Sequence, residues 1–227
     1  MDEVTTDQAA ARLGVSRQEV LRLINQGALP ARRVGRMFLV HPTPLAARER
    51  VRPGRGRPFA ARVAWAALWE IGGQAADWLS RSQRSRLRSW LRDHDAADVA
   101  LACRKRAHVH DLRILPAYLE RLSTSSGTVR TGMSVAGAVG ADIVGSEDVE
   151  LYCSGKTLAD LSATYLLAPA TSPNVRIRVP SFEFPDLFRR VAMPPAVVAA
   201  DLADSADGRT RRAGLELLAA QLVGLRK

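Results

Sequence analysis

Between Thr5 and Arg50 the chain reads TTDQAAARLGVSRQEVLRLINQGALPARRVGRMFLVHPTPLAARER, and its glycines restrict what this stretch can become. Thr6 is placed to cap an alanine-rich helix whose Ala9, Ala10 and Leu13 share one face. Gly14 stops that helix, because only glycine enters a left-handed turn without steric cost. Ser16 then caps a second helix, with Glu19 at the position that completes a reciprocal capping box. Val20, Leu23 and Ile24 recur at i, i+3, i+4, so one side is buried and Arg17, Gln18, Leu21, Arg22 and Asn25 face outward. Gly27 ends this helix and Leu29-Pro30 resumes an extended path. Ala31–Val34 reads as a strand, Gly35-Arg36 as a hairpin turn and Met37–Val40 as the returning strand.

Two helices around a tight turn, the second exposing long donor side chains, spell a helix-turn-helix. The hairpin is its two-stranded wing. The order of elements resembles the MerR/excisionase-type winged helix: an alanine-rich helix, Leu13-Gly14-Val15-Ser16-Arg17, the helix Val20–Ile24, Gly27–Pro30, then Arg33–Arg36 and an apolar strand. That resemblance implies double-stranded DNA as the partner. The helix Ser16–Gln26 is expected in the major groove with Ser16, Arg17, Gln18 and Arg22 as contacts, while Arg32, Arg33 and Arg36 hold backbone or minor groove. A small helical module that binds protein is the blander alternative. One winged helix buries little surface, so a homodimer or cooperative assembly on DNA is expected.

Charge supports a polyanion partner. The 227 residues carry 33 basic against 23 acidic side chains, a formal net charge of +10. The first 58 residues hold 11 arginines against 5 acids, residues 59–135 hold 12 basic against 7 acidic, and the remainder is close to neutral with 10 against 11. The excess thus sits on the proposed reader and its neighbour, which bears on binding and not on fold.

Residues 1–51 are read as the DNA-binding domain and 52–58, Arg-Pro-Gly-Arg-Gly-Arg-Pro, as a basic linker too poor in apolar surface to pack. Its Arg55-Gly56-Arg57-Pro58 resembles the core of an AT-hook, in which both arginines reach the floor of an A·T minor groove. A solvated linker is the other reading. Leu45–Val51 is expected to form one short helical turn.

Residues 59–227 read as an α+β domain with short strands and a helical C-terminus, suited to assembly or partner control. Phe59–Ile71 forms a helix with Trp65 and Trp69 beside its apolar face, and Trp78–Leu91 continues as short amphipathic helices. Ala96–Cys103 is a further helix. Arg81–Arg88 and Arg104-Lys105-Arg106 either extend a DNA footprint or are solvated helix faces, and the sequence does not choose. Further on, Leu112–Leu122 is extended and then helical, Thr128–Thr131 a strand, Ser134–Gly140 a small-residue helix, Val149–Cys153 a strand and Leu158–Leu167 a helix. Asn174–Val179 alternates with period two, as a half-buried strand does. Pro194-Pro195 starts a helix over Ala196–Ala203, and Arg209–Leu225 closes the chain as an amphipathic helix.

This second half is similar, more loosely, to the antitoxins of type IV abortive-infection systems in actinobacteria. The traces are the Arg-Gly-Arg-Pro join into a tryptophan-bearing helix, Arg130–Ala138, the strand from Asn174, and Pro194–Leu202. The resemblance implies a protein that represses its own operon and counters a nucleotidyltransferase-like toxin encoded beside it, with direct contact left open. A stand-alone excisionase-like or architectural DNA binder is the alternative.

No constellation points to an enzyme, and no cofactor is expected. Gly145-Ser146 followed by Asp148 and Glu150 has the residue types of a nucleotidyltransferase site, but its carboxylates need a strand about ten residues downstream. A turn into the strand Val149–Cys153 explains them better. In His108-x-His110-Asp111 the two histidines suit a ligand pair on a strand, but a third and fourth metal ligand are not identifiable. Cys103 and Cys153, with no Cys-x-x-Cys, are expected to be reduced. Asp2, Glu3 and Asp7 do not suit a signal peptide, and the expected location is the cytoplasm, on the nucleoid.

Overall fold

The computed structural model describes residues 4–13, 16–27, 29–35, 37–41, 57–141, 143, 148–184 and 187–226. The chain divides into two compact units, Met1–Gly54 and Arg55–Lys227. The expected helix at Leu45–Val51, Arg36, Arg55 and Gly145–Glu147 lie outside the described residues.

The first unit contains α1 (Thr6–Leu13), α2 (Arg17–Asn25) and a sheet of β1 (Val4–Thr5), β2 (Ala31–Val34) and β3 (Met37–Val40) in the order β1-β3-β2. Both ladders are antiparallel, with Ala31 opposite Val40 on one side and Val4 opposite Val40 on the other. The wing is therefore three-stranded, one strand more than expected, because a two-residue strand is too short to show an alternation. Ala9, Ala10, Leu13, Val20, Leu23, Leu29 and Val40 form its core. The cap of α1 is Thr5 and not Thr6: Gln8 N donates to Thr5 Oγ1 at 3.2 Å and Thr5 N to Gln8 Oε1 at 2.9 Å. Thr5 is already extended in β1, the backbone a capping residue needs, whereas Thr6 is buried.

The second unit is built on a five-stranded sheet of β4 (Ala107–Arg113), β5 (Thr128–Arg130), β6 (Val149–Cys153), β7 (Ala168–Pro169) and β8 (Val175–Pro180), in the order β5-β6-β8-β4-β7. Only the β6–β8 pair is parallel. Its helices are α3 (Ala61–Ile71), α4 (Arg81–Asp93), α5 (Ala96–Cys103), α6 (Leu119–Ser123), α7 (Gly155–Tyr165), α8 (Pro195–Ala203) and α9 (Gly208–Arg226). Side chains alternate across a strand, so the sheet serves two cores. Leu112, Val149, Leu151, Cys153, Val175 and Ile177 turn to one, which also takes Leu122 of α6 and Leu161 of α7. Val129 and Tyr152 turn to the other, where α3, α5, α8 and α9 gather.

That larger core corrects several expectations. α3 is buried on every side from Ala64 to Ile71, Trp65 and Trp69 included, because it passes through the core instead of lying on it. Trp65 meets Tyr152 at 5.3 Å between ring centroids and Trp69 meets Phe184 at 4.7 Å, both edge to face. α4 is one continuous helix, held by a complete capping box between Ser80 and Gln83. Ser134–Gly140 is not a helix but two 3-10 turns, Gly132–Val135 and Gly137–Val139, closed by Gly140 at φ 80°. β4 begins five residues before the expected extended piece. α7 starts at Gly155, since Ser154 Oγ accepts Thr157 N at 3.0 Å.

α8 carries no polar face: Ala196–Ala203 is buried throughout, Asp201 included. It packs so closely on α9 that a Cβ on Gly214 would stand 2.7 Å from Ala199 O. Cys103 and Cys153 are free and buried, and burial pushes both thiols up to about 12. Among the described residues no helix is long and apolar enough to cross a membrane.

Candidate nucleic-acid interface

α2 is presented by two local devices. Ser16, extended at φ −71° and ψ 153°, accepts Glu19 N on its Oγ at 3.2 Å, satisfying one of the free amides of the first turn. Val20 and Leu23 are buried, while Ser16, Arg17, Gln18, Arg22 and Asn25 are exposed. One side of the helix is thereby fixed to the core and the other offers donors to solvent.

The donors are not equally free. Arg22 is held along its own helix: Nε and Nη2 bind the two oxygens of Glu19 at 2.8 and 2.6 Å, and Nη1 reaches Gln26 Oε1 at 2.9 Å. Hydrogen bonding to Glu19 raises its pKa further above the ordinary arginine value. Arg17 Nε lies 3.5 Å from the exposed Asp7, a weak surface pair. Gln18 faces solvent. On the wing, Arg32 and Arg33 are exposed, and Arg33 Nε donates to Gly35 O at 3.1 Å, which folds its side chain toward the turn. Gly35 sits at φ 60°, as the turn requires. Val34 and Met37 leave an apolar tip beside these arginines. Arg57 is exposed.

Residues 3–47 match the family model of a helix-turn-helix domain, which covers this recognition unit and not the rest of the chain. No curated protein and no solved structure gives a significant match. A DNA-binding helix-turn-helix at the N-terminus is thus supported by the family match and by the geometry of α1, α2 and the wing.

The second unit holds a charged cluster that sequence reading missed. Arg106, assigned with Arg104 and Lys105 to an exposed basic run, is 1% exposed. Its Nη2 meets Asp201 Oδ1 at 2.5 Å and Asp204 Oδ2 at 2.6 Å, and its Nε donates to Tyr152 Oη at 3.2 Å. Arg178, in the alternating strand β8, is equally buried. Its Nη1 donates to Glu150 Oε2 at 2.6 Å, and its Nε lies 3.1 Å from Asp201 Oδ1. Tyr152 Oη donates to the same oxygen at 2.8 Å, and the Thr131 hydroxyl donates to Oδ2. Burial opposes charge on Asp201, but the guanidiniums of Arg178 and Arg106 outweigh it and hold the carboxyl below the usual aspartate range.

Arg106 precedes β4, Thr131 follows β5, Glu150 and Tyr152 lie on β6 and Arg178 on β8. Asp201 lies in α8 with Asp204 at its end, and the charges of these groups pair with one another. They tie the apolar helix α8 to the sheet. Glu150, one of the two carboxylates weighed for metal chemistry, is committed to Arg178. His108 and His110 lie on β4, and among the described residues no group of three or more His, Cys, Asp or Glu is placed to hold a metal ion. A signal was present: a lone aspartate inside PAVVAADLA must find a buried cation.

Proposed function

We propose that this protein is a sequence-specific DNA-binding regulator of transcription. The observation that carries the reading is the asymmetry of α2, with Val20 and Leu23 locked in the core and Arg17, Gln18 and Arg22 outward beside an arginine-bearing wing. In this reading α2 enters the major groove, where Arg and Gln forks read base edges, and Arg32, Arg33 and Arg36 hold the flanking phosphates. Arg55 and Arg57 extend the grip along the minor groove. Two copies, as a dimer or a cooperative pair on DNA, supply the area that one small module lacks.

The test is fluorescence-anisotropy titration of the protein's own upstream DNA against scrambled duplex across a salt series. A preference of about a thousandfold at moderate salt is expected of a specific regulator. Equal affinity for both duplexes would reduce the protein to a general DNA binder.

The finer role is that of an autorepressing antitoxin. Its support is the resemblance of Arg130–Ala138, the strand from Asn174 and Pro194–Leu202 to type IV antitoxins. Expression of the adjacent reading frame alone should arrest growth, and co-expression of this chain should relieve the arrest. A neighbour that is harmless when expressed leaves the stand-alone regulator as the function.

A further inference from the structure

The second unit carries an arginine ridge that the DNA-reading unit does not explain. On α4, Arg81, Arg84, Arg88 and Arg92 recur at i, i+3, i+7 and i+11, and with Ser85 they line one cleft. At 1.5 Å per residue the ridge runs about 16 Å along the helix. Leu87 and Leu91 bury the adjacent side of the helix, which fixes the direction in which the ridge points.

The ridge is supported from behind. Glu70 of α3, its side chain 1% exposed, accepts Arg88 Nε on Oε2 at 2.6 Å. Its Oε1 accepts Ala76 N at 3.2 Å and lies 3.7 Å from Arg84 Nε. That Nε is buried without a hydrogen-bond partner, while Arg84 Nη2 reaches the exposed Asp77 at 3.4 Å. Arg81 and Arg92 are exposed and have no acidic partner among the described residues. Four guanidiniums against Glu70 and Asp77 leave an excess of two positive charges in a concave strip.

We propose that this strip is a second phosphodiester-binding surface, which lies along the DNA backbone flanking the sequence read by α2. A linear polyanion fits better than a single phosphate, because cations spaced along about 16 Å need repeated acceptors. Arginine forks suit phosphate oxygens. Duplex DNA is favoured over RNA because the same chain carries the helix-turn-helix, so binding there raises the local DNA concentration at the ridge. The inference rests on the DNA-binding reading above.

The test compares full-length wild type with the double variant Arg81→Ala/Arg92→Ala, two exposed positions, with intact tryptophan emission as the folding control. Binding to the upstream duplex with long flanks, to a scrambled duplex of equal length and to duplex RNA of the upstream sequence is titrated across a salt series. At about 0.9 per phosphate contact, the slope of log K against log salt should flatten by about 1.8 on both DNA duplexes. The preference between them should not change. Wild-type binding with an unaltered slope in the variant overturns the ridge and leaves the regulator standing. Wild type that binds neither DNA duplex overturns both. A loss confined to duplex RNA of the same sequence overturns the assignment to DNA.

Discussion

Asp201→Ala removes one carboxylate, stripping an acceptor from Arg106, Tyr152 and Thr131 and an ion-pair partner from Arg178. Asp204 still holds Arg106, and Glu150 still holds Arg178, so each cation keeps one partner. Breaking a buried ion pair costs about 3–5 kcal/mol, much of it from the cation left behind. With these remaining partners set against two hydroxyls left without an acceptor, a loss of about 4 kcal/mol is expected. For a unit of this size that corresponds to a fall in Tm of about 8–16 °C.

All four tryptophans lie between residues 65 and 90, within the Arg55–Lys227 unit, so urea unfolding followed by tryptophan emission reports on that unit. Asp111→Ala is the control. Asp111 meets Arg176 at 2.6 Å, but the side chains are 42% and 29% exposed, and such a pair is worth less than about 1 kcal/mol. If Asp201→Ala costs no more than Asp111→Ala, the reasoning that the cluster clamps α8 to the sheet is refuted.

Acid supplies an independent reading. The folded pKa of Asp201 lies below its unfolded value, so its contribution is complete above that unfolded value, about 3.9. As pH falls further, the unfolded chain takes up the proton first and stability drains away. Asp201→Asn should lack this part of the acid loss.

Three further outcomes are expected. Glu19→Gln releases Arg22 from its bidentate partner, so the preference for the upstream duplex over the scrambled one should change, by up to about 1–3 kcal/mol, and an unchanged preference would remove Arg22 from base reading. Gly214→Ala forces α8 and α9 apart at a backbone-to-backbone contact and should cost about 1–3 kcal/mol by the same urea assay. The thiols of Cys103 and Cys153 should resist a thiol reagent in the native state and react together on unfolding, whereas rapid modification of the native protein would contradict their burial.

The recognition unit was legible because its signals are local. Ser16, Gly27, Gly35 and the spacing of Val20, Leu23 and Ile24 each act within a few residues, and each does in the fold what its chemistry dictates. The error at Thr6 was a shift of one residue, caused by a two-residue strand that gives Thr5 its extended backbone. Most helices and strands of the second unit were placed for the same reason, Ala96–Cys103 and Val149–Cys153 to the residue.

By itself, the sequence determined where the chain turns, which faces are apolar and where positive charge accumulates, because periodicity and capping are short-range. Only the tertiary structure decided which charges meet water. Arg106 and Arg92 both sit in arginine-rich stretches, yet Arg106 is enclosed with Asp201, 95 residues away, while Arg92 remains exposed on the ridge. The difference lies in desolvation, which depends on what packs around a group and not on its neighbours in the chain. A buried guanidinium is committed to the carboxylates that enclose it, and an exposed one remains available to a phosphate.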